Sequence, residues 1–268
     1  MTLVVIDAGA HRAEDYDLDS ASLAALWRME ERHFWHRARN RFILRELSEL
    51  PPPARILEVG CGSGAVSTAL VHAGYRVVGV DTALVLVQKA DSRCPEATFV
   101  AGPLEQLSDG ERDFDAVGFF DVLEHLDEPE QLLQTAMARL KPGGLVLATV
   151  PAMQRLFSAV DEAAGHKRRY EAGELAGLFE RAGLRKIRER GIFRTLSALV
   201  GSRRKHLTYS KDVPLTAIQR RDILVADARV PAWPVNAGLG LLCALEAQLG
   251  WQSSLGRPGA SLLAAGYL

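Results

Sequence analysis

Before about Leu50 the apolar positions keep helical spacing. Leu23, Leu26, Trp27, Phe34, Trp35, Ala38, Phe42 and Ile43 recur at three to four residues, with Asp19 or Ser20 available as an N-cap. The run PPP at 51–53 closes this stretch. From Arg55 the texture changes to short apolar runs alternating with helical segments: RILEV, AVSTALVHAG, RVVGVD, TALVLVQKADS, ATFV, DAVGFFD, a helix over about 129–140, and GLVLATV. Strands that are apolar on both faces and separated by helices are what a parallel sheet covered on both sides requires. A helix near 172–182, a strand near 185–189 and a closing strand in SLLAAGYL extend the series. The pattern predicts an α/β, doubly wound, mostly parallel seven-stranded sheet. Residues 193 to about 256 break the rhythm and read as an insertion before the last strand, its apolar helix, LGLLCALEAQLG, packed on the core. The expected organisation is an N-terminal helical cap over 1–50 and a main domain over 54–268 that contains the insertion.

Composition narrows the classes. The 268 residues, 48% of them hydrophobic, supply the core of one large domain. Lys plus Arg (32) balances Asp plus Glu (33), so the whole molecule carries no electrostatic footprint for nucleic acid or an acidic membrane. Cys61, Cys94 and Cys243 lie far apart without CxxC spacing, which argues against a disulfide framework or a zinc site and for a cytoplasmic protein. MTLVVIDAGAH has too short an apolar run, and no basic leader, for a signal peptide. No stretch approaches the roughly 18 apolar residues of a membrane span. Oligomeric state is not readable.

Gly60, Gly62 and Gly64 form GxGxG between the strand RILEV and a helix. Glycines there let the backbone turn tightly and approach a ligand, while the helix offers free N–H groups. Asp81 ends the next strand, where a carboxylate can accept both hydroxyls of a ribose. A dinucleotide would need GxGxxG, and Ala65 at the third position is an allowed variant, so spacing alone leaves NAD open.

The residues around the loop discriminate better. LEVGCGSG resembles motif I of the class I S-adenosylmethionine-dependent methyltransferases, a Rossmann-like fold, and VVGVD, FDAVGFFDVLEHL and LKPGGLVLATVP resemble their second, fourth-strand and fifth-strand motifs in order. The resemblance implies that Gly60, Cys61, Gly62 and Gly64 line the methionine and ribose portions of S-adenosylmethionine, with Glu58 supporting the amino-group end. It places Asp81 on the ribose hydroxyls, Thr82 against the adenine, and Asp121 and Val122 beside the methionine chain. Where the family has an acid for the adenine amino group this chain has Pro103, so adenine contacts fall to Leu104 and its backbone. S-adenosylhomocysteine would be the product.

HFWHRARNRF at 33–42 combines aromatics and arginines. On one continuous helix His33, Arg37, Arg41 and Arg45 form a basic stripe, expected to be solvated. Arg39 instead has Trp35, Phe42 and Ile43 for neighbours and so projects beside the apolar face, where a guanidinium needs an anion. The spacing of Arg39, Phe42 and Ile43 is similar to a pattern in ubiquinone-pathway O-methyltransferases, which implies Arg39 on the cofactor's carboxylate. GHKRRY and the tail GRPGASLLAAGYL extend the likeness to a bacterial small-molecule subgroup associated with secondary-metabolite or saccharide genes.

Two histidines fall at the carboxyl edge of the sheet and are candidate general bases: His125 after the fourth strand and His166 after the fifth. Asp121, Glu124 and His125 share the spacing of the ExxEH of metal-dependent relatives, with His166 as a possible fourth ligand; a metal-free site is the favoured expectation. Together these features predict methyl transfer to a small molecule, oxygen before nitrogen or carbon, under a helical substrate cap at about 193–256. A cyclase without net methyl transfer and an RNA methyltransferase are the alternatives, nucleic acid being disfavoured by the near-neutral charge.

Overall fold

The computed structural model describes residues 2–5, 20–205, 214–249 and 259–268. Eight strands form a single sheet: β1 (Thr2–Val5), β2 (Arg55–Val59), β3 (Arg76–Asp81), β4 (Thr98–Ala101), β5 (Phe114–Phe120), β6 (Leu140–Pro151), β7 (Arg185–Ile192) and β8 (Ser261–Tyr267). Their order across the sheet is β1-β4-β3-β2-β5-β6-β8-β7. All neighbours run parallel except β8, which is antiparallel to both β6 and β7. Strand alternation divides the core in two: Ile56 and Val77 face one apolar cluster, Leu57 and Val78 the other. The sequence order reverses at β2, between β3 and β5, and ligands of open α/β sheets bind outside the carboxyl ends of the strands at such a point.

Helices α3 (Ala65–His72), α4 (Leu84–Arg93), α5 (Pro129–Met137) and α7 (Glu174–Arg181) make the crossovers. The helical layer over the reversal point comes from elsewhere in the chain. It consists of α1 (Ser20–Arg32) and α2 (Phe34–Glu46), the short α6 (Ala159–Ala163), and, between β7 and β8, α8 (Ser197–Lys205), α9 (Ala217–Asp227) and α10 (Trp233–Leu249). Along this layer α10 packs on α2, and α9 on α1 and α6.

Three expectations need correction. The sheet has an eighth strand, β1, on the outer side of β4, so residues 1–50 are not helical throughout; four residues are too few to show an alternation. The N-terminal helix is broken at His33, which has extended backbone (φ −71, ψ 132) and accepts the Trp35 N–H on its side chain. Half of the expected stripe, Arg37 and Arg41, is exposed. His33 is buried, Arg41 donates to the Gly240 carbonyl, and Arg45 donates to the Ala247 carbonyl at 2.6 Å, near the C-terminal end of α10. Lastly, α10 packs on the core through one side only. Cys243 and Ala247 are buried, whereas Trp233, Val235, Leu241, Leu242 and Leu245 are exposed. Asp19, His206, the side chains of Arg203, Arg204 and Lys205, and the GRP of the tail lie outside the described residues.

The start of the insertion is anchored by aromatic packing. Phe193, fully buried, stacks on Trp35 with ring centroids 3.7 Å apart, and Phe42 meets it edge-on at 5.6 Å. Removing a buried aromatic leaves a cavity as well as lost transfer energy, so Phe193→Ala should destabilise the protein by about 3–5 kcal/mol in urea unfolding. Leu199→Ala, at a half-exposed position, should cost under about 1 kcal/mol in the same measurement.

Candidate active site

Past the end of β2 the chain turns through Gly60 (φ +71) and Gly62 (φ +52) before α3 begins. The Gly60 and Cys61 N–H groups donate to the Val80 carbonyl at 2.8 and 3.1 Å, tying the loop to the end of β3. Asp81 completes the tie: one carboxylate oxygen accepts the Gly62 N–H at 2.9 Å and the other accepts the Ala83 N–H at 2.8 Å. A Cβ on Gly60 would come within 2.5 Å of a Val122 methyl, so Val122 already closes the inner side of the loop. A Cβ on Gly62 would meet nothing within 4 Å. That open side, edged by the Asp81 carboxylate, fits a nucleoside lying against the loop. The Cys61 thiol is buried, and burial pushes its pKa well up, so Cys61 offers a ligand only its backbone. Thr82 is partly exposed beside Asp81, and Leu104 is buried with its carbonyl accepting from Arg139 at 3.2 Å.

Asp121 follows β5 in left-handed backbone (φ +61), a strained conformation for a residue with a Cβ. Its amide donates to the Thr149 carbonyl at 2.9 Å and its carboxylate accepts the Thr149 hydroxyl at 2.9 Å. The other carboxylate oxygen pairs with Arg39, whose side chain is 10% exposed. Arg39 therefore leans inward as its spacing implies, and its anion in the structure is the Asp121 carboxylate. Its Nε is buried without a hydrogen-bond partner.

Beyond Asp121 a cavity of about 370 Å³ opens beneath the helical layer. Its lining combines apolar side chains, among them Phe34, Trp35, Leu196, Val200, Leu224 and Leu239, with the polar His33, His36, Asp121, Glu124, His166, Arg169 and Asp227. Glu124 is fully buried and neither carboxylate oxygen has a hydrogen-bond partner. Burial, with the Asp121 charge added, raises its pKa well above the usual carboxylate range. His166 points Nε2 toward Glu124 Oε1, 3.9 Å away, and Nδ1 to the Asp161 carboxylate at 3.0 Å. Asp161, also fully buried, accepts from Arg169 at 2.7 Å and from the Ser158 amide at 2.9 Å, and it caps α6. His125 packs edge-on against His166 at 4.8 Å, outside the cavity lining, with Nδ1 3.3 Å from the Gly165 carbonyl. Burial first, and the His166 ring second, lower its pKa.

With this geometry established, a family profile described as "Methyltransferase domain" matches residues 27–189. The chain belongs to that family. Its fold and motifs are those of the class I, S-adenosylmethionine-dependent methyltransferases. A probable S-adenosylmethionine-dependent methyltransferase of Mycolicibacterium smegmatis is 28% identical over 167 residues, which are 62% of this chain and 65% of that protein. A ubiquinone biosynthesis O-methyltransferase of Azorhizobium caulinodans is 35% identical over 122 residues, 44% of this chain and 46% of the relative. The chain thus spans less than two thirds of the length of either relative. Among solved structures, a SAM-dependent methyltransferase from Archaeoglobus fulgidus superposes with a TM-score of 0.55 at 14% identity, covering 87% of this chain and 94% of that one. The cyclase SpnF superposes at 0.52 with 19% identity, covering 86% and 80%. Both show a shared fold.

The partners that orient the named residues are not visible in the sequence. Asp161 carries a signal, the capping pattern SAVD at 158–161, but nothing in the pattern reveals that its carboxylate also meets His166. Thr149 and His36 carry no signal. His36 lines the cavity with Nδ1 buried and unpartnered, and burial, then the Arg39 charge, hold its pKa well below the ordinary value. The expected metal-type set differs too: the ligand atoms that lie within 4.8 Å of one another belong to Glu124, His125 and His166, Asp121 being paired with Arg39.

Glu58, in the centre of the sheet, is buried and accepts the Ser67 hydroxyl. Burial raises its pKa from 4.5 to about 8. A carboxyl whose folded pKa is raised stabilises the fold fully below the unfolded value, and that contribution is lost as pH rises toward the folded one. Wild type should therefore lose stability relative to Glu58→Gln as pH is raised from about 4.5 to about 8. Urea titrations of both proteins across that range check the difference; a constant gap would show that Glu58 ionises normally.

Proposed function

We propose that this methyltransferase transfers a methyl group from S-adenosylmethionine to a hydroxyl oxygen of a small molecule, in secondary-metabolite or saccharide biosynthesis in the cytoplasm. The observation that carries the oxygen assignment is the pairing of His166 with the buried Asp161, which directs an imidazole nitrogen into a cavity bordered by Asp121. The Azorhizobium relative is named for O-methylation, which agrees with it.

Gly60, Gly62, Gly64 and Asp81 would hold the nucleoside, and Arg39, Glu58, Asp121 and Val122 the methionine end, with Thr82 and Leu104 near the base. The cofactor supplies an activated methyl on a sulfonium, and what remains for the protein is to align the acceptor and exclude water. A hydroxyl placed between His166 and Glu124 can donate to His166 Nε2 while accepting from the protonated Glu124 carboxyl, since those atoms lie 3.9 Å apart. The lone pair of that oxygen takes the methyl group, the bond to sulfur breaks toward sulfur, and the hydroxyl proton passes to His166 Nε2. The Asp161 carboxylate, held by Arg169, then faces an imidazolium and stabilises it. His125 buttresses the His166 ring and does not line the cavity, which favours His166 as the base.

A second reading has a specific basis. Glu124, His125 and His166 could hold a divalent cation, Glu124 having both oxygens unpartnered, and such an ion would activate the hydroxyl as a Lewis acid. The cyclase alternative keeps the fold, as in SpnF, and is separated by the fate of a labelled methyl group. The RNA alternative keeps only two exposed arginines of its motivating stripe, Arg37 and Arg41, on a chain of near-neutral net charge.

Calorimetry with S-adenosylmethionine tests the cofactor residues. Removing charge-assisted hydrogen bonds at Asp81 should weaken binding by about 10- to 100-fold in Asp81→Ala. Arg39→Ala should lose about tenfold and Arg41→Ala less than about twofold. Wild-type affinity in Asp81→Ala would overturn the assignment.

Turnover of hydroxylated acceptors with labelled cofactor tests the base. His166→Asn should lower kcat by about 10²- to 10⁴-fold and Asp161→Asn by a smaller factor, with cofactor affinity unchanged in both. Loss of activity on chelation, restored by added magnesium or manganese, would replace the base with the metal reading. Product without label would indicate cyclisation.

A further inference from the structure

α10 is 17 residues long, and the residues it exposes are Trp233, Pro234, Val235, Ala237, Gly238, Leu241, Leu242, Leu245 and Gln248, none of them charged. Its single acid, Glu246, turns away and accepts the Arg194 and Thr195 N–H groups at 2.8 and 3.0 Å. Trp233, at the start of the helix, is 81% exposed, and Leu241 is 62% exposed. No described residue covers this face. A contiguous apolar surface of this kind marks an interaction site rather than ordinary scatter.

The charge beside it indicates the occupant. A groove of about 330 Å³ runs between α10 and α2, lined by Arg37, Arg41, Trp233, Asn236 and Leu241 among others, and none of its lining residues is acidic. Arg37 is exposed and has no ion-pair partner among the described residues. A two-fold dimer packed through this face would bring two copies of each arginine into one interface, and neither the groove lining nor the exposed face of α10 offers a carboxylate to pair with them. A bilayer surface with anionic headgroups meets both demands, phosphate for the arginines and acyl chains for the leucines, with the tryptophan at the level where interfacial tryptophans sit. The helix cannot cross a membrane: none of the described helices is long and apolar enough.

We infer that α10 lies in the plane of an anionic membrane surface, its leucine face in the outer acyl region and a lipid phosphate between Arg37 and Arg41. Leu239, on the same helix, lines the cavity, so membrane docking would bring that cavity beside the bilayer. The inference does not depend on which acceptor is methylated.

Flotation of the full chain with vesicles tests it. Wild type should float with phosphatidylcholine vesicles that contain phosphatidylglycerol, and about tenfold less at roughly 0.5 M salt, where screening shortens the reach of charge. Leu241→Ser combined with Leu242→Ser should lower partition at least about tenfold. Arg37→Gln with Arg41→Gln should abolish the preference for phosphatidylglycerol over phosphatidylcholine alone. S-adenosylmethionine affinity, unchanged in both variants, shows that they remain folded. Wild type that stays with neither vesicle, or a leucine variant that floats as wild type does, overturns the inference. A wild-type dimer that the leucine variant dissociates would assign the face to a second copy instead.

Discussion

The ion pair between Arg39 and Asp121 joins two parts of the molecule that the chain itself keeps far apart. Asp121 stands at the tip of a central strand and Arg39 on a helix that belongs to no crossover, so this contact, with the Glu46–Arg190 pair and the buried Ala38, Phe42 and Ile43, ties the helical layer to the sheet. Both groups are drawn largely out of water, and a pair in that condition is stable only when its geometry and remaining hydrogen bonds are satisfied. Thr149 supplies part of that satisfaction, holding the Asp121 carboxylate and amide from β6. The left-handed backbone at Asp121 is the local cost, and three neighbouring elements fix it in place.

From this junction the polar groups of the molecule sort themselves by solvation. Toward the glycine loop lie open backbone and a carboxylate; away from it, the cavity is lined by two groups that burial has brought toward neutrality, Glu124 and His36. Glu124 is the clearest case: a carboxyl with no partner and full burial is a donor, while the buried Asp161, matched by Arg169, is an acceptor. Asp161 acts on the cavity through His166, holding its Nδ1 so that Nε2 faces Glu124 3.9 Å away, and a donor and an acceptor stand side by side in the wall.

The sheet was largely legible because its parallel strands are buried on both faces and so appear as uninterrupted apolar runs, and the glycine loop because its residues are constrained one by one. The break at His33 was not, since no glycine or proline marks it and the capping is done by a histidine whose neighbours all favour helix. β1 is too short for its alternation to register. Long-range partners such as Asp161 with His166, or Arg45 with the end of α10, depend on the packing of segments that no local pattern connects. The balanced total charge concealed a local arrangement, a neutral helix face beside two arginines, that becomes visible only when α2 and α10 are laid side by side.

Among the described residues β7 pairs with β8 alone, and its sequence, RKIRERGI, is dominated by charge. Its hydrogen-bonding partner is synthesised only after three helices have followed it, a separation of about seventy residues whose closure is slow relative to local contacts. A strand with an apolar face, left unpaired for that interval, would recruit any other exposed edge. Arg185, Lys186, Arg188 and Arg190 allow this one to wait in water, and the first three remain exposed afterward on the outer edge of the described sheet, while Arg190 pairs with the buried Glu46. The same charges that make β7 an unpromising strand by propensity let the insertion grow to its present length without turning the nascent protein toward aggregation.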